Sequence, residues 1–357
     1  MAVQLRESTN SYNPAGDPTP SDSPLQQRRA GSVRRYLRYF SVASWVVGIA
    51  LAVFLYVSRD PTNAMLLRVR DLAFSSYSRD TAELRLSPDA IQTRGFRTDS
   101  PASIATLRAR LERTALGHQL DSIARIPSSI ERAQSLIRVA FAPGPQVGCG
   151  SVNDLYAKLD WVQHGGGCCS DYTEVFLALG RLVGVYARQA NFAVDHTVAS
   201  FFAPELGRWV FVDPFLGVMS RDSTGFLSTQ EVHSRAKPPL VFFGGPRQVH
   251  SPDDKRLDDL NEVLSEDQLL VTWGNNVIEQ DRQYGHLARL PKPIAQGIGF
   301  ITGVRPEYRI FVPHFSATRV FALNARRWFA ILLAAIVGVG CAAHPLYALT
   351  RLRTAAA

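Results

Sequence analysis

The sequence predicts an α+β fold with two flanking transmembrane helices, and three observations lead there. Gly165, Gly166 and Gly167 run into Cys168 and Cys169, after which Val175, Phe176, Leu179, Leu182 and Val183 recur at helical spacing. Residues 185–213 then turn β-rich, with turn residues between short apolar segments. Two long runs without a charged residue, 40–57 and 328–349, lie on either side.

Taken in order, residues 1–32 are rich in Ser, Pro, Gln and Asn, and 1–39 are expected to form a disordered cytoplasmic tail. The run 40–57 would reach roughly 27 Å as a helix, close to the hydrocarbon core of a bilayer. Arg28, Arg29, Arg34, Arg35 and Arg38 precede it, which places its N-terminal side inside. Ser58-Arg59-Asp60-Pro61 does not resemble a cleavage site, so the run reads as a signal anchor. Residues 58–130 read as an exocytoplasmic helical region, with 65–74 a helix or a strand and 104–123 one amphipathic helix. The core is expected over 131–220. It opens with a helix at 130–140, stopped by Ala142-Pro143-Gly144-Pro145, and a short helix at 152–162. The helix after Cys169 stops at Gly184; 185–194, 196–202 and Arg208–Asp213 read as antiparallel strands. In the extension 221–327, Ser228-Thr229-Gln230-Glu231 predicts a capping box, 253–264 a charged helix, and 269–278 and 308–312 strands. The run 328–349, broken by His344 and Pro345, would return the chain to a cytoplasmic tail at 350–357 holding Arg351 and Arg353. The core is therefore expected in the periplasm or outside the cell, anchored in the inner or plasma membrane.

The formal net charge of +8 follows that topology rather than a nucleic-acid surface. Six arginines against Glu7, Asp17 and Asp22 lie within residues 1–39, and the middle has no basic cluster interleaved with aromatics. The expected partners are the membrane and a protein or peptide substrate, with no nucleic acid. Cys341 falls in the second run, which leaves Cys149, Cys168 and Cys169 outside the cytoplasm. An odd number of exocytoplasmic cysteines points to a reactive thiol, and a Cys149–Cys168 disulfide would leave Cys169 reduced. Adjacent cysteines beside His164 lack the ligand spacing of a zinc site, so neither metal nor cofactor is expected.

A cysteine at a helix N-terminus sits where the dipole stabilises a thiolate, which predicts a lowered thiol pKa. Downstream, His196 lies on an apolar segment and Asp213-Pro214 closes the next. Each alone has a plainer reading: a small buried residue, a core histidine, a strand-ending turn. In this order they make a nucleophile, a base and a residue that orients the base. The thiolate would attack an amide or ester carbonyl and His196 would protonate the leaving amine. The backbone N–H of Cys169 would be one oxyanion donor.

Gly167-Cys168-Cys169-Ser170-Asp171-Tyr172, then Gly184-Val185-Tyr186-Ala187-Arg188, then His196, then Trp209-Val210-Phe211-Val212-Asp213-Pro214 together resemble the transglutaminase-like superfamily in a membrane-anchored bacterial form. Tyr172, Gly184, Arg188, Trp209 and Asp213 fall into place only with Cys169, not Cys168, as the nucleophile. The resemblance covers about 150–220 and departs where Thr197 and Val198 follow His196, since many members carry Ala and Trp there. It implies a papain-like core with a Cys169–His196–Asp213 triad. Gln163, six residues before Cys169, matches the oxyanion glutamine of papain-like proteases. The implied activity is a thiol hydrolase, protease or acyl transferase acting on amide bonds, in cell-envelope or polysaccharide assembly. The alternative is a non-catalytic scaffold of the same shell that recruits envelope partners. A redox pair of Cys168 and Cys169 lacks the two-residue gap of thioredoxin-like motifs.

Overall fold

The computed structural model describes residues 24–57, 75–94, 96–141, 154–192, 196–235, 237–244, 269–272, 274–287, 290 and 308–355. The elements expected at 65–74 and 253–264, the Pro-Gly-Pro stop and Cys149 lie outside the described residues. The chain divides into two compact units, one of 1–58 with 331–357 and one of 59–330.

In the larger unit, four helices begin by the same local chemistry. Ser87, Ser100, Thr114 and Ser128 each accept a first-turn backbone N–H, starting α2 (Pro88–Thr93), α3 (Pro101–Leu111), α4 (Ala115–Ala124) and α5 (Ser129–Ala140). The single helix expected over 104–123 is thus two. Thr114 opens a second helix, and Gly117 lets it pass close to the first: a Cβ there would lie 2.1 Å from the Leu111 carbonyl oxygen. Then come α6 (Leu155–Gln163) and α7 (Cys169–Leu182), the latter carrying buried residues around most of its length.

Nine strands are found among the described residues: β1 (Ser75–Ser78), β2 (Ala187–Phe192), β3 (His196–Ala203), β4 (Arg208–Asp213), β5 (Val218–Asp222), β6 (Gly225–Phe226), β7 (Leu240–Phe242), β8 (Leu269–Thr272) and β9 (Tyr308–Phe311). Their order is β1-β9-β8-β2-β3-β4-β5-β6, with β7 also on β5. The expected antiparallel sheet is mixed, because β1 joins β9 in parallel. Residues 221–327 supply β6 to β9 together with α8 (Thr229–His233) and α9 (Val277–Leu287). The capping box forms as expected: the Ser228 N–H donates to Glu231 Oε2, and the Glu231 N–H to Ser228 Oγ. The strand expected over 269–278 ends at Thr272. Asn275 turns its amide to the Leu177 and Ala187 carbonyls instead of continuing the ladder.

Alternation along β3 sorts the core. Ala199, Phe201 and Ala203 pack with Val175 and Phe176 of α7, whereas Val198 joins Trp209, Phe211 and Val271 on the other face. Phe176, Phe201 and Phe211 are fully buried, each worth about 1.5–3 kcal/mol. Two residues of the sequence motif tie an N-terminal segment to that other face. Arg188 donates to the Leu84 carbonyl at 2.7 Å, Trp209 Nε1 donates to the Leu86 carbonyl at 2.7 Å, and the guanidinium lies 3.8 Å over the indole.

The smaller unit holds α1 (Pro24–Val57) and the later part of α10 (Ala317–Ala355). Among the described residues, no helix is long and apolar enough to cross a membrane, so the two flanking transmembrane helices expected at 40–57 and 328–349 are not supported. A span needs about 20 predominantly apolar residues in succession. In α1, arginines reach as far as Arg38, and Ser41, Ser44 and Gly48 follow; in α10, Arg326 and Arg327 precede the run and His344-Pro345 interrupts it. Small residues form the seam between these helices. A Cβ added to Gly48 would lie 3.4 Å from Val337, and one added to Gly340 would lie 3.3 Å from Ser44. Helix also begins at Pro24, inside the stretch expected as a disordered tail. These findings concern the helices and do not fix the compartment in which the core works.

Candidate active site

The glycines before the cysteines are required by space and by backbone conformation. Gly165 and Gly167 have φ of 77° and 97°, a region that side chains disfavour. A Cβ on Gly166 would lie 1.6 Å from Trp161 Nε1. The chain therefore turns sharply from α6 into α7. The Cys168 N–H donates to Asp171 Oδ2 at 3.0 Å, which fixes the N-terminus of α7. Lys158 of α6 reaches the same corner, pairing with Glu174 and lying 3.8 Å from Asp171. Burial raises the Asp171 carboxyl to about 6, against the Cys168 N–H and Lys158, which lower it.

Cys169 is the first residue of α7, as the sequence predicts. Its thiol receives the backbone N–H of Thr197, the residue after His196. Thr173, one turn along α7, donates its hydroxyl to the Thr197 carbonyl at 3.2 Å. The start of β3 is thus pinned to the start of α7 on both sides of Thr197.

The β3–β4 register pairs Ala199 with Val212, which sets Asp213 opposite Val198 and diagonal to His196. His196 Nε2 donates to Asp213 Oδ2 at 2.6 Å. Asp213 Oδ1 accepts the backbone N–H groups of Phe215 at 2.9 Å and Leu216 at 3.0 Å. The Asp213 side chain is 0% exposed and that of His196 13%. A buried carboxylate is stable only with such donors. With the proton held on Nε2, Nδ1 is the ring nitrogen that can accept a proton. Phe215 lies 6.5 Å from the imidazole and packs edge-on against Tyr172 of α7 at 5.3 Å, completing the wall behind the ring.

The structure therefore brings Cys169, His196 and Asp213 to one place. Gln163 ends α6 and is partly exposed, and among the described residues its side chain makes no hydrogen bond to Cys169, His196 or Asp213. The Cys169 N–H, the first of α7, has no carbonyl one turn back to donate to. No family model, curated protein or solved structure matches this chain.

One expectation is corrected. The Cys169 thiol is pushed up from its ordinary pKa rather than lowered. The neighbouring Cys168 thiol, hydrogen-bonded to it, is the largest cause; burial is next, and only the Thr197 N–H opposes them. The helix end favours a thiolate, but loss of water and a second sulfur beside it outweigh that. Sequence reasoning gave Cys168 a possible disulfide role and missed its effect on Cys169. The Cys168 sulfur also lies 3.2 Å from Ser170 Oγ. Phe215 and Thr173 were missed too, although Phe215 follows the Asp213-Pro214 signal directly.

Proposed function

We propose that this chain is a thiol enzyme acting on amide bonds, a hydrolase or acyl transferase of transglutaminase-like type. The observation that carries the reading is the 2.6 Å His196–Asp213 pair, which leaves Nδ1 as the basic nitrogen beside the strand start that touches Cys169. The proton on Cys169 passes to His196 Nδ1 as sulfur attacks the carbonyl carbon, and the C=O electrons move to oxygen. The Cys169 N–H, with Gln163 as a second candidate donor, would hold that oxyanion. On collapse the C–N bond breaks and the amine leaves with the proton from Nδ1. Water or an amine then attacks the thioester, giving acid or transferred acyl product and returning the thiol. Since the thiol rests protonated, His196 acts as a general base during attack rather than as one half of a standing ion pair.

The test is labelling by a chloroacetamide-bearing acyl probe, mapped by mass spectrometry. Cys169→Ala should abolish labelling and Cys168→Ala should keep it; equal labelling in the two variants would overturn the assignment. A second reading, a non-catalytic scaffold, draws support from the raised Cys169 pKa alone. Rescue of a deletion strain by the Cys169→Ala chain would favour it.

A further inference from the structure

β4 ends at Asp213, one residue short of what the start of β3 needs. Along β3, the Phe202 N–H donates to the Tyr186 carbonyl on the β2 side. Backbone groups in an antiparallel ladder turn to alternate sides residue by residue, so the odd-numbered residues of β3 turn towards β4. Ala199 and Phe201 stand opposite Val212 and Val210 in this way. Continuing the register puts Thr197 opposite Pro214. Proline has no N–H, so it cannot donate to the Thr197 carbonyl. Thr197 is buried all the same, and a buried backbone carbonyl needs a donor.

The helix supplies it. Thr173 is fully buried one turn after Cys169, and its hydroxyl donates to the Thr197 carbonyl at 3.2 Å. A hydroxyl has one proton, so this bond uses the whole of its donor capacity. The Thr197 N–H, turned to the same side, goes to the Cys169 sulfur. Two residues four apart on one face of α7 thus stand in for the missing strand partner, and the residue they grip is the neighbour of His196. The carboxylate of Asp213 holds the imidazole to the sheet, not to the helix. The N–H bond ends on the reacting sulfur, whose charge and position change during attack. The Thr173 bond contains no reacting atom and can persist throughout.

We propose that Thr173 is a positioning residue for the thiol chemistry: its hydroxyl seats the start of β3 on α7 and so holds the His196 imidazole within reach of the Cys169 thiol. This rests on the reading of Cys169 and His196 as nucleophile and base.

The test is a double-mutant cycle on the full chain, read as the second-order rate of Cys169 acylation by p-nitrophenyl acetate with Cys169→Ala as blank. Thr173→Val keeps the shape and removes the donor. It should slow acylation about ten- to a hundredfold, the upper end being the cost of a misplacement of about 1 Å. Thr173→Ser keeps the donor and should keep the rate. In a His196→Ala chain, itself slow, Thr173→Val should change nothing more, because the two residues act as a unit. Thermal melts confirm that each variant folds, and Thr173→Ala takes the place of Thr173→Val if the latter does not. A folded Thr173→Val chain at the parent rate, a Thr173→Ser chain as slow as Thr173→Val, or equal slowing with and without His196 would overturn the positioning role alone. A His196→Ala chain acylated at the parent rate would overturn the proposed base and this inference with it.

Discussion

Asp213→Asn tests the triad more sharply than removal of the carboxylate would, because the local hydrogen bonds dictate how the new amide must lie. Asp213 Oδ1 accepts two backbone N–H groups and Oδ2 accepts the imidazole. Asparagine has one oxygen for these two jobs. If the oxygen stays on the Phe215 and Leu216 amides, the NH2 faces Nε2. The imidazole must then carry its proton on Nδ1, where it cannot accept one from Cys169. If the amide flips, oxygen faces Nε2 but two buried N–H groups lose their acceptor, at about 1–3 kcal/mol each. The working tautomer therefore lies about 2–6 kcal/mol above the resting one. At 1.36 kcal/mol per factor of ten, that is a fall of about thirty-fold to about 25,000-fold in thiol acylation. The upper end meets the fall of about 10⁴ known for the same change in a serine-protease triad.

The assay is the second-order rate of Cys169 modification by an acylating probe, followed across pH with Cys169→Ala as blank. A folded Asp213→Asn chain that keeps its rate within tenfold of the parent would refute the reasoning, since the flip would then be cheap.

Three further outcomes follow from the structure. Cys168→Ala removes the largest cause of the raised Cys169 pKa; a hydrogen bond of about 1 kcal/mol converts to about fivefold more thiolate, partly offset by weaker nucleophilicity, so iodoacetamide should alkylate Cys169 about two- to threefold faster at neutral pH, and an unchanged rate would contradict the assigned cause. Glu205 accepts from Ser128 and from the Ser129 and Ile130 amides at the start of α5; burial raises its pKa, but these bonds outweigh it and hold the carboxyl below its ordinary value. That stability is present above the unfolded value and disappears as pH falls through the folded one, so Glu205→Gln should cost about 1 kcal/mol in denaturant melts at pH 7 and nothing in strong acid; equal losses at both would rule out the linkage. Gly166→Ala drives a methyl into Trp161 and should cost about 1–3 kcal/mol and slow Cys169 labelling, while a neutral melt would mean that the indole swings away freely.

What was legible in the sequence was local. The helix from Cys169 announces itself by 3.6-residue spacing after three glycines, and His196 and Asp213 sit at the ends of short apolar runs that read as buried strands. The unread part of the sheet depends on pairing between distant segments. β1 is Ser-Ser-Tyr-Ser, with no apolar alternation to betray it. It is held by parallel pairing to β9 and by Asn324, which accepts the Tyr77 N–H and donates to the Tyr77 carbonyl. The two uncharged runs read as membrane spans because a count of charges ignores where serine, glycine and the flanking arginines sit.

The paired cysteines show the same division at the scale of the site. Spacing selected Cys169 over Cys168, and in the fold Cys169 opens α7 against the Thr197 N–H. Spacing alone treats the rejected cysteine as inert. In three dimensions its sulfur bonds the chosen one and opposes ionisation, and the Cys168 N–H is the group Asp171 uses to fix the helix start. Cys168 therefore acts in two opposite senses. Its backbone anchors the helix start at Cys169, while its side chain pushes the Cys169 thiol pKa up. Alanine at 168 keeps the first effect and removes the second, so the rate it gives at Cys169 measures how far the resting thiol is held back by its neighbour rather than by burial.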